Sequence, residues 1–561
     1  MRISIAINNF FELKNMKKEI HLDEAGTLKN FLTEREKESI THLKISGSIN
    51  SKDFDVLDDM CTSWGSYDDD DNYIMEENEP PFLKILDLGE CEMIDCKKLP
   101  NFTYHSKLEE VILPKNLEYT GVEMENTFED SVFLTTVVVP ETLKVFASGT
   151  FISCEKLQNI NFPENLEAIE GFAFSGCDML TNISIPKNVS KIGGTAFGYC
   201  DSLEKFEVDE KNQHFTTIDG VLFNKEKTKL VAFPCGCKNK NYIVPAGVKI
   251  IGDGSFSGAN IETIVFPQSL ESIESMAFRG CEKLQSLIVP DSVTEIGEVA
   301  FEFCYNLKQL KLSNNLTVLR EQTFGSCGMT EMEIPASVKI IENTALGWNK
   351  NLEKLILHDG LEEIFDFSLL FTYTTKLQEI QLPKTVKKIN SGIFRKNTNL
   401  KNIEVDTENP YFCTIDGSLY SKDKKRLIAI CPNTKKSFVV PNGVEIIEDY
   451  VFEGFNELEE IIFPETLKEI GYRCFENCKK LKELHLPASL GSIDFHAFDD
   501  CEKLQKVVID AISPPEITNP PHKSWKFMGD AKNVILFVPN ESVNKYRKAN
   551  KWKDVERIKA I

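Results

Sequence analysis

No stretch of 18 consecutive apolar residues occurs in the 561-residue sequence, so no segment reads as a membrane-spanning helix. Basic charge is scarce too: 64 Lys+Arg against 87 Asp+Glu leave a formal charge of −23. A dedicated nucleic-acid binder needs a concentrated basic surface, so no nucleic-acid partner is expected. Glycine (30) and proline (23) are too few for a collagen or a low-complexity linker protein. Catalytic signatures are missing: no G-x-S-x-G, H-E-x-x-H or P-loop occurs, and the eight His are scattered. The expectation is therefore no enzyme and no cofactor. The start of the chain, Met1 to Lys18, lacks the long apolar core and small-residue cleavage site of a secretory signal. A cytoplasmic location stays open on that ground.

Phenylalanine is what the chain has in excess: 38 Phe stand beside 13 Tyr and 4 Trp. Thirteen of them share one register: Phe128, Phe151, Phe174, Phe197, Phe256, Phe278, Phe301, Phe324, Phe371, Phe394, Phe452, Phe475 and Phe498. Most steps are 23 residues, and Leu346 fills the slot between Phe324 and Phe371. Prolines from Pro114 to Pro487 keep the same period, as do Cys154, Cys177, Cys200, Cys281, Cys304, Cys327, Cys478 and Cys501. Three registers with one period mark an internal repeat. Within a unit, Leu284-x-x-Leu287-x-Val289-Pro290 reads as a short strand with one buried face, ended by a residue that cannot join a ladder. A small or polar residue follows two positions after the proline (Asn165, Asn188, Ser269, Thr466), placed to bond neighbouring backbone at the turn. Val293, Ile296, Ala300 and Phe301 then point inward from a short helical or irregular return segment. Each coil buries one layer and stacks on the next.

This pattern resembles a leucine-rich repeat and, more closely, the BspA-type subfamily, I-P-x-x-V-x-x-I-G-x-x-A-F-x-x-C-x-x-L. It stands here as Ile185-Pro186, Val189, Ile192-Gly193, Ala196-Phe197, Cys200 and Leu203, and again from Val289-Pro290 to Leu307. The resemblance implies an α/β-type solenoid, a right-handed superhelix with short parallel strands on its concave side. It also implies a cell-surface or secreted protein that binds host proteins or mediates adhesion. Two interruptions, Phe215 to Phe223 and Phe412 to Tyr420, share an Asp-Gly turn between apolar runs and read as β-hairpin insertions extending from the solenoid. The expected boundaries are an N-terminal cap with acidic loop over 1–81, a solenoid of about 14–15 coils over 82–510 with inserts near 209–243 and 406–439, and a C-terminal cap over 511–561. A monomer is expected.

Register cysteines read as buried apolar packing, and Cys235-x-Cys237 or Cys91 with Cys96 lack the partners a zinc site needs. Asp68 to Asp71 lacks the alternating spacing of a calcium loop. Lys545, Arg547, Lys548, Lys551 and Lys553 form a basic C-terminal helix, read first as a solvated cap and second as an anion contact. What remains is the outward strand face, four and two positions before each proline slot. The binding candidates there are Val265, Ser286, Ile288, Gln309, Lys311, Glu331, Glu333, Lys354, Ile356, Glu379 and Gln381. Aliphatics in that polar field suit a protein ligand, though β-branched residues also simply suit strands. An intracellular scaffold is the alternative to the surface adhesin. An enzyme with a site between hairpin and solenoid is the remote one.

Overall fold

A computed structural model describes residues 16–61, 65–67, 73–75, 82–95, 97–99, 106–121, 126–365, 376–391, 393–394, 397, 399–431, 436–519, 534–555 and 557–561. The expected acidic loop at Asp68 to Asp71, Cys96 and the ladder residue Phe371 lie outside the described residues. The chain divides into two compact units, 1–284 and 285–561.

In the first unit the coils are held by three parallel hydrogen-bond ladders. Face strands precede the proline slots: Asn182–Ile185 pairs in register with Lys205–Val208, and Asn241–Ile243 with Thr263–Val265. The return segment is of the irregular kind and contributes a second ladder of two-residue strands, in which Ala168 aligns with both Val145 and Lys191. The third ladder flanks the register phenylalanines. Gly149, Phe151 and Ser153 donate to Gly171, Ala173 and Ser175 of the next coil at 3.0, 2.9 and 2.8 Å. Beside most of the described register phenylalanines, the residues two before and two after sit in the left-handed region, bulky ones included: Phe172 (φ 59°), Tyr199 (58°) and Met276 (53°). A rigid coil-to-coil bond at every second N–H holds them there.

The phenylalanines stack down this axis. Phe128–Phe151, Phe151–Phe174 and Phe174–Phe197 have centroids 5.3, 5.3 and 5.6 Å apart with nearly parallel rings. Coil spacing is about 4.8 Å, so one offset-stacked ring per coil fits the repeat without gaps. The turn residues bond as their types require: Asn165 and Asn188 Nδ2 donate to Glu141 and Glu164 carbonyls at 2.8 Å each.

At the insert, Phe215–Ile218 runs antiparallel to Val221–Asn224 across a turn with Asp219 and Gly220 at φ 50° and 80°, which suits Asp-Gly. Val221–Asn224 pairs antiparallel with Lys229–Ala232, which joins Ile250–Ile251 in parallel. The meander thus feeds into the second ladder, and Tyr199 N reaches Ser257 O at 3.0 Å across the excised length. At the N-terminus, Thr33 and Glu36 form a capping box on helix Glu34–Ser39. A second helix, Ser51–Cys61, buries Phe54, Leu57 and Met60.

The second unit repeats the scheme. Phe301–Phe324, Phe452–Phe475 and Phe475–Phe498 stack at 5.3, 4.8 and 5.5 Å. Val318–Leu319, Ile340–Ile341, Glu363–Ile364 and Lys388–Ile389 form a second ladder. Its meander, Phe412–Ile415, Ser418–Ser421 and Arg426–Ala429, enters the second ladder at Ile446–Ile447. The C-terminal helix is short, Val543–Lys548, because Ala549 turns extended (ψ 145°). Trp552 follows in a 3-10 turn, its indole donating to Pro515 O at 2.7 Å.

Candidate functional site

In the second unit, strand register sets the candidates side by side. Ser286 lies opposite Gln309 and Ile288 opposite Lys311. Glu331 lies opposite Lys354 and Glu333 opposite Ile356, with Lys354 Nζ 2.6 Å from Glu331 and His358 Nε2 2.8 Å from Glu333. Glu379 and Gln381 follow on the strand Glu379–Leu382, opposite Asn402 and Glu404. Gln309, Lys311, Glu331, Glu333, Lys354, Glu379 and Gln381 are exposed. Ile288 is 67% exposed. Ser286 and Ile356 are only half-buried, so Ile356 presents less apolar surface than its register position leads one to expect.

In the first unit, Val265 (57% exposed) sits directly opposite Ile243, which at 71% is more exposed still. The second unit has the counterpart: Val439 (61%) opposite Ile462 (50%). Ile243 and Val439 are missed when the leucine pattern alone is followed, because each lies on the first strand after a meander. The proline register finds them, since each stands two positions before Pro245 or Pro441.

One buried asparagine anchors each meander. Asn212 Nδ2 donates to Pro186 O and Val189 O at 2.8 and 2.9 Å, and its Oδ1 accepts from His214 N and Phe215 N at 2.8 Å each. Asn409 makes the same four bonds to Pro383, Val386, Tyr411 and Phe412. Both side chains are fully satisfied.

The cysteine register is chemically quiet. Cys154, Cys177 and Cys200 donate Sγ–H to the carbonyls of Phe128, Phe151 and Phe174 at 3.0, 3.2 and 3.1 Å. Cys281, Cys327, Cys478 and Cys501 repeat this on Phe256, Phe301, Phe452 and Phe475. Burial pushes the Cys177, Cys200, Cys281 and Cys478 thiols well above the usual range. Such thiols are neither nucleophiles nor ready metal ligands. Among the described residues no group of three or more His, Cys, Asp or Glu is placed to hold a metal ion.

The profile of BspA-type leucine-rich repeat regions, in six copies, matches residues 124–239, 231–353, 319–436 and 429–519. The chain belongs to the BspA-type leucine-rich repeat family. No curated protein sequence matches it. Solved structures similar to this BspA-type chain include a leucine-rich cell surface protein of Faecalibacterium prausnitzii A2-165, at 23% identity and TM-score 0.37, covering 69% of this chain and 83% of that one. The pneumococcal vaccine antigen PcpA matches at 19% identity and TM-score 0.40, over 64% of this chain and 99% of its own. A leucine-rich repeat protein of Bacteroides ovatus ATCC 8483 matches at 20% and 0.31, over 81% and 92%.

Proposed function

We propose that this BspA-type chain is a non-enzymatic protein-binding module on a cell surface or in secreted form, engaging its ligand through the face strands. The observation that carries this reading is the set of exposed aliphatics, Ile243 with Val265 in one unit and Ile288, Val439 and Ile462 in the other, on otherwise polar strands. Isolated exposed aliphatics are ordinary, but cross-strand pairs at corresponding places in both units form small apolar centres with polar rims. Membership of the family supports the surface location.

The test is crosslinking mass spectrometry on the full chain with purified extracellular host proteins, followed by Ile288→Asp and Val439→Asp variants. Crosslinks on the face strands and at least ten-fold weaker binding by the variants support the reading. Full binding by folded variants moves the interface elsewhere. An intracellular scaffold is the second reading, favoured by the free thiols, which are donors inside the core rather than disulfides. Membrane-impermeant labelling of intact cells separates the two: labelling only after lysis removes the surface reading.

A further inference from the structure

The C-terminal cap reverses the charge of the rest of the chain. Residues 541–561 carry seven Lys+Arg against Glu541, Asp554 and Glu556, a net of +4, which leaves −27 for the first 540 residues of a −23 chain. Along the coils, many lysines are paired with a carboxylate one coil away: Lys144 with Glu118 at 2.7 Å, Lys249 with Glu271 at 2.8 Å, Lys468 with Glu445 at 2.7 Å and Lys506 with Glu483 at 2.8 Å. On the cap this pattern stops. Lys545, Arg547, Lys548, Lys553, Arg557 and Lys559 are all exposed, and none forms an ion pair among the described residues.

Geometry gathers these cations. Lys545 and Lys548 are three apart on helix Val543–Lys548 and share a face. Arg557 and Lys559 share the exposed face of strand Arg557–Ala560, the last strand of its sheet, which pairs with Ile535–Val538. Arg547 Nη2 donates to Ile558 O at 3.2 Å, fastening the helix to that strand. Within 541–561 Tyr546, Trp552 and Ile558 are buried, and among the described residues of that stretch Ile561 alone is an exposed large apolar side chain.

We propose that this cap binds an anionic polysaccharide, a polymer carrying sulfate or phosphate groups along its length. Unpaired long cations without an apolar centre lack what a protein interface needs, and the six-residue helix offers no apolar face for insertion into a bilayer. A polyanion needs neither: its gain comes from releasing counterions to several Lys and Arg at once. The site is independent of the face strands and adds a second, electrostatic contact to the chain.

The experiment is binding of the full chain to fluorescent dextran sulfate, read by anisotropy in 50 and 200 mM NaCl. Affinity is expected to fall by about ten-fold or more between the two salts, as counterion release dictates. A Lys545→Gln, Lys548→Gln, Arg557→Gln, Lys559→Gln variant is expected to lose ten-fold or more at 50 mM while its thermal unfolding matches the parent. Lys144→Gln with Lys468→Gln, which removes two paired lysines, is expected to bind like the parent. Unchanged affinity in the cap variant, equal binding of uncharged dextran, or tighter binding of phosphatidylserine vesicles or duplex DNA than of dextran sulfate would each overturn the proposal.

Discussion

Val299 is a β-branched residue held at φ 60°, where its Cβ crowds the following carbonyl. Its N–H donates to Glu321 O at 2.9 Å, and that coil-to-coil bond keeps it there. Asparagine tolerates this conformation far better, so Val299→Asn is expected to stabilise the protein by about 0.5–1 kcal/mol, measured by chemical denaturation. A lower midpoint would show that the valine side chain packs usefully enough to outweigh the strain. Asp178 carries the opposite kind of tension. Burial, then Asp201 and Glu155, raises its pKa to about 6 from 3.8. The folded state therefore binds a proton that the unfolded state has already released, and this contribution is lost as pH climbs from about 4 to about 6. Asp178→Asn is expected to raise stability at pH 7.5 by about 1 kcal/mol after allowance for solvent screening, and to match the parent near pH 4. Identical pH profiles of the two proteins would remove the charge argument.

Each meander is an element whose stability rests on one side chain. Asn212→Ala removes four hydrogen bonds, two to carbonyls and two from N–H groups, and at roughly 1–3 kcal/mol for an unsatisfied group the cost is expected to exceed 2 kcal/mol. Hydrogen exchange should quicken across residues 215–232 while protection at the phenylalanine ladder persists; uniform loss of protection would contradict an anchoring role. Asn188→Ala, whose exposed side chain makes one turn bond, is expected to cost under about 1 kcal/mol. Much at this scale was legible in the sequence. The Asp-Gly pairs announced both antiparallel turns, and the proline register announced the face strands. Asn212 and Asn409 were not legible, because an asparagine with four buried bonds looks like any loop asparagine until the chain closes around it. The second ladder escaped for a different reason: two-residue strands such as Lys191–Ile192 are too short to show a period. Helix Ser51–Cys61 could have been found, since Phe54, Leu57, Met60 and Cys61 follow helical spacing.

At the scale of the whole molecule, the repeat turns one chemical choice into a column. Phenylalanine gives one stacked ring per coil, cysteine gives one S–H donor for the carbonyl of the preceding ring, and lysine–glutamate pairs step along the outside. The register made these columns legible, but what the cysteines do with their hydrogens is a property of coil spacing that no single unit displays. Coils that each contact only their neighbours should respond locally to damage. Phe174→Ala removes a ring stacked on both Phe151 and Phe197, so a cost of about 3–5 kcal/mol is expected, centred on the adjacent coils. The thiol column supplies the readout. Among the described residues only Cys237 and Cys413 are not buried, so N-ethylmaleimide should modify these two in the native protein and the other described cysteines only after opening. In Phe174→Ala, Cys154, Cys177 and Cys200 are expected to become reactive at lower urea than Cys478 and Cys501. Simultaneous exposure of all five would mean that the chain unfolds as one cooperative block, and the nearest-neighbour account of its stability would fall.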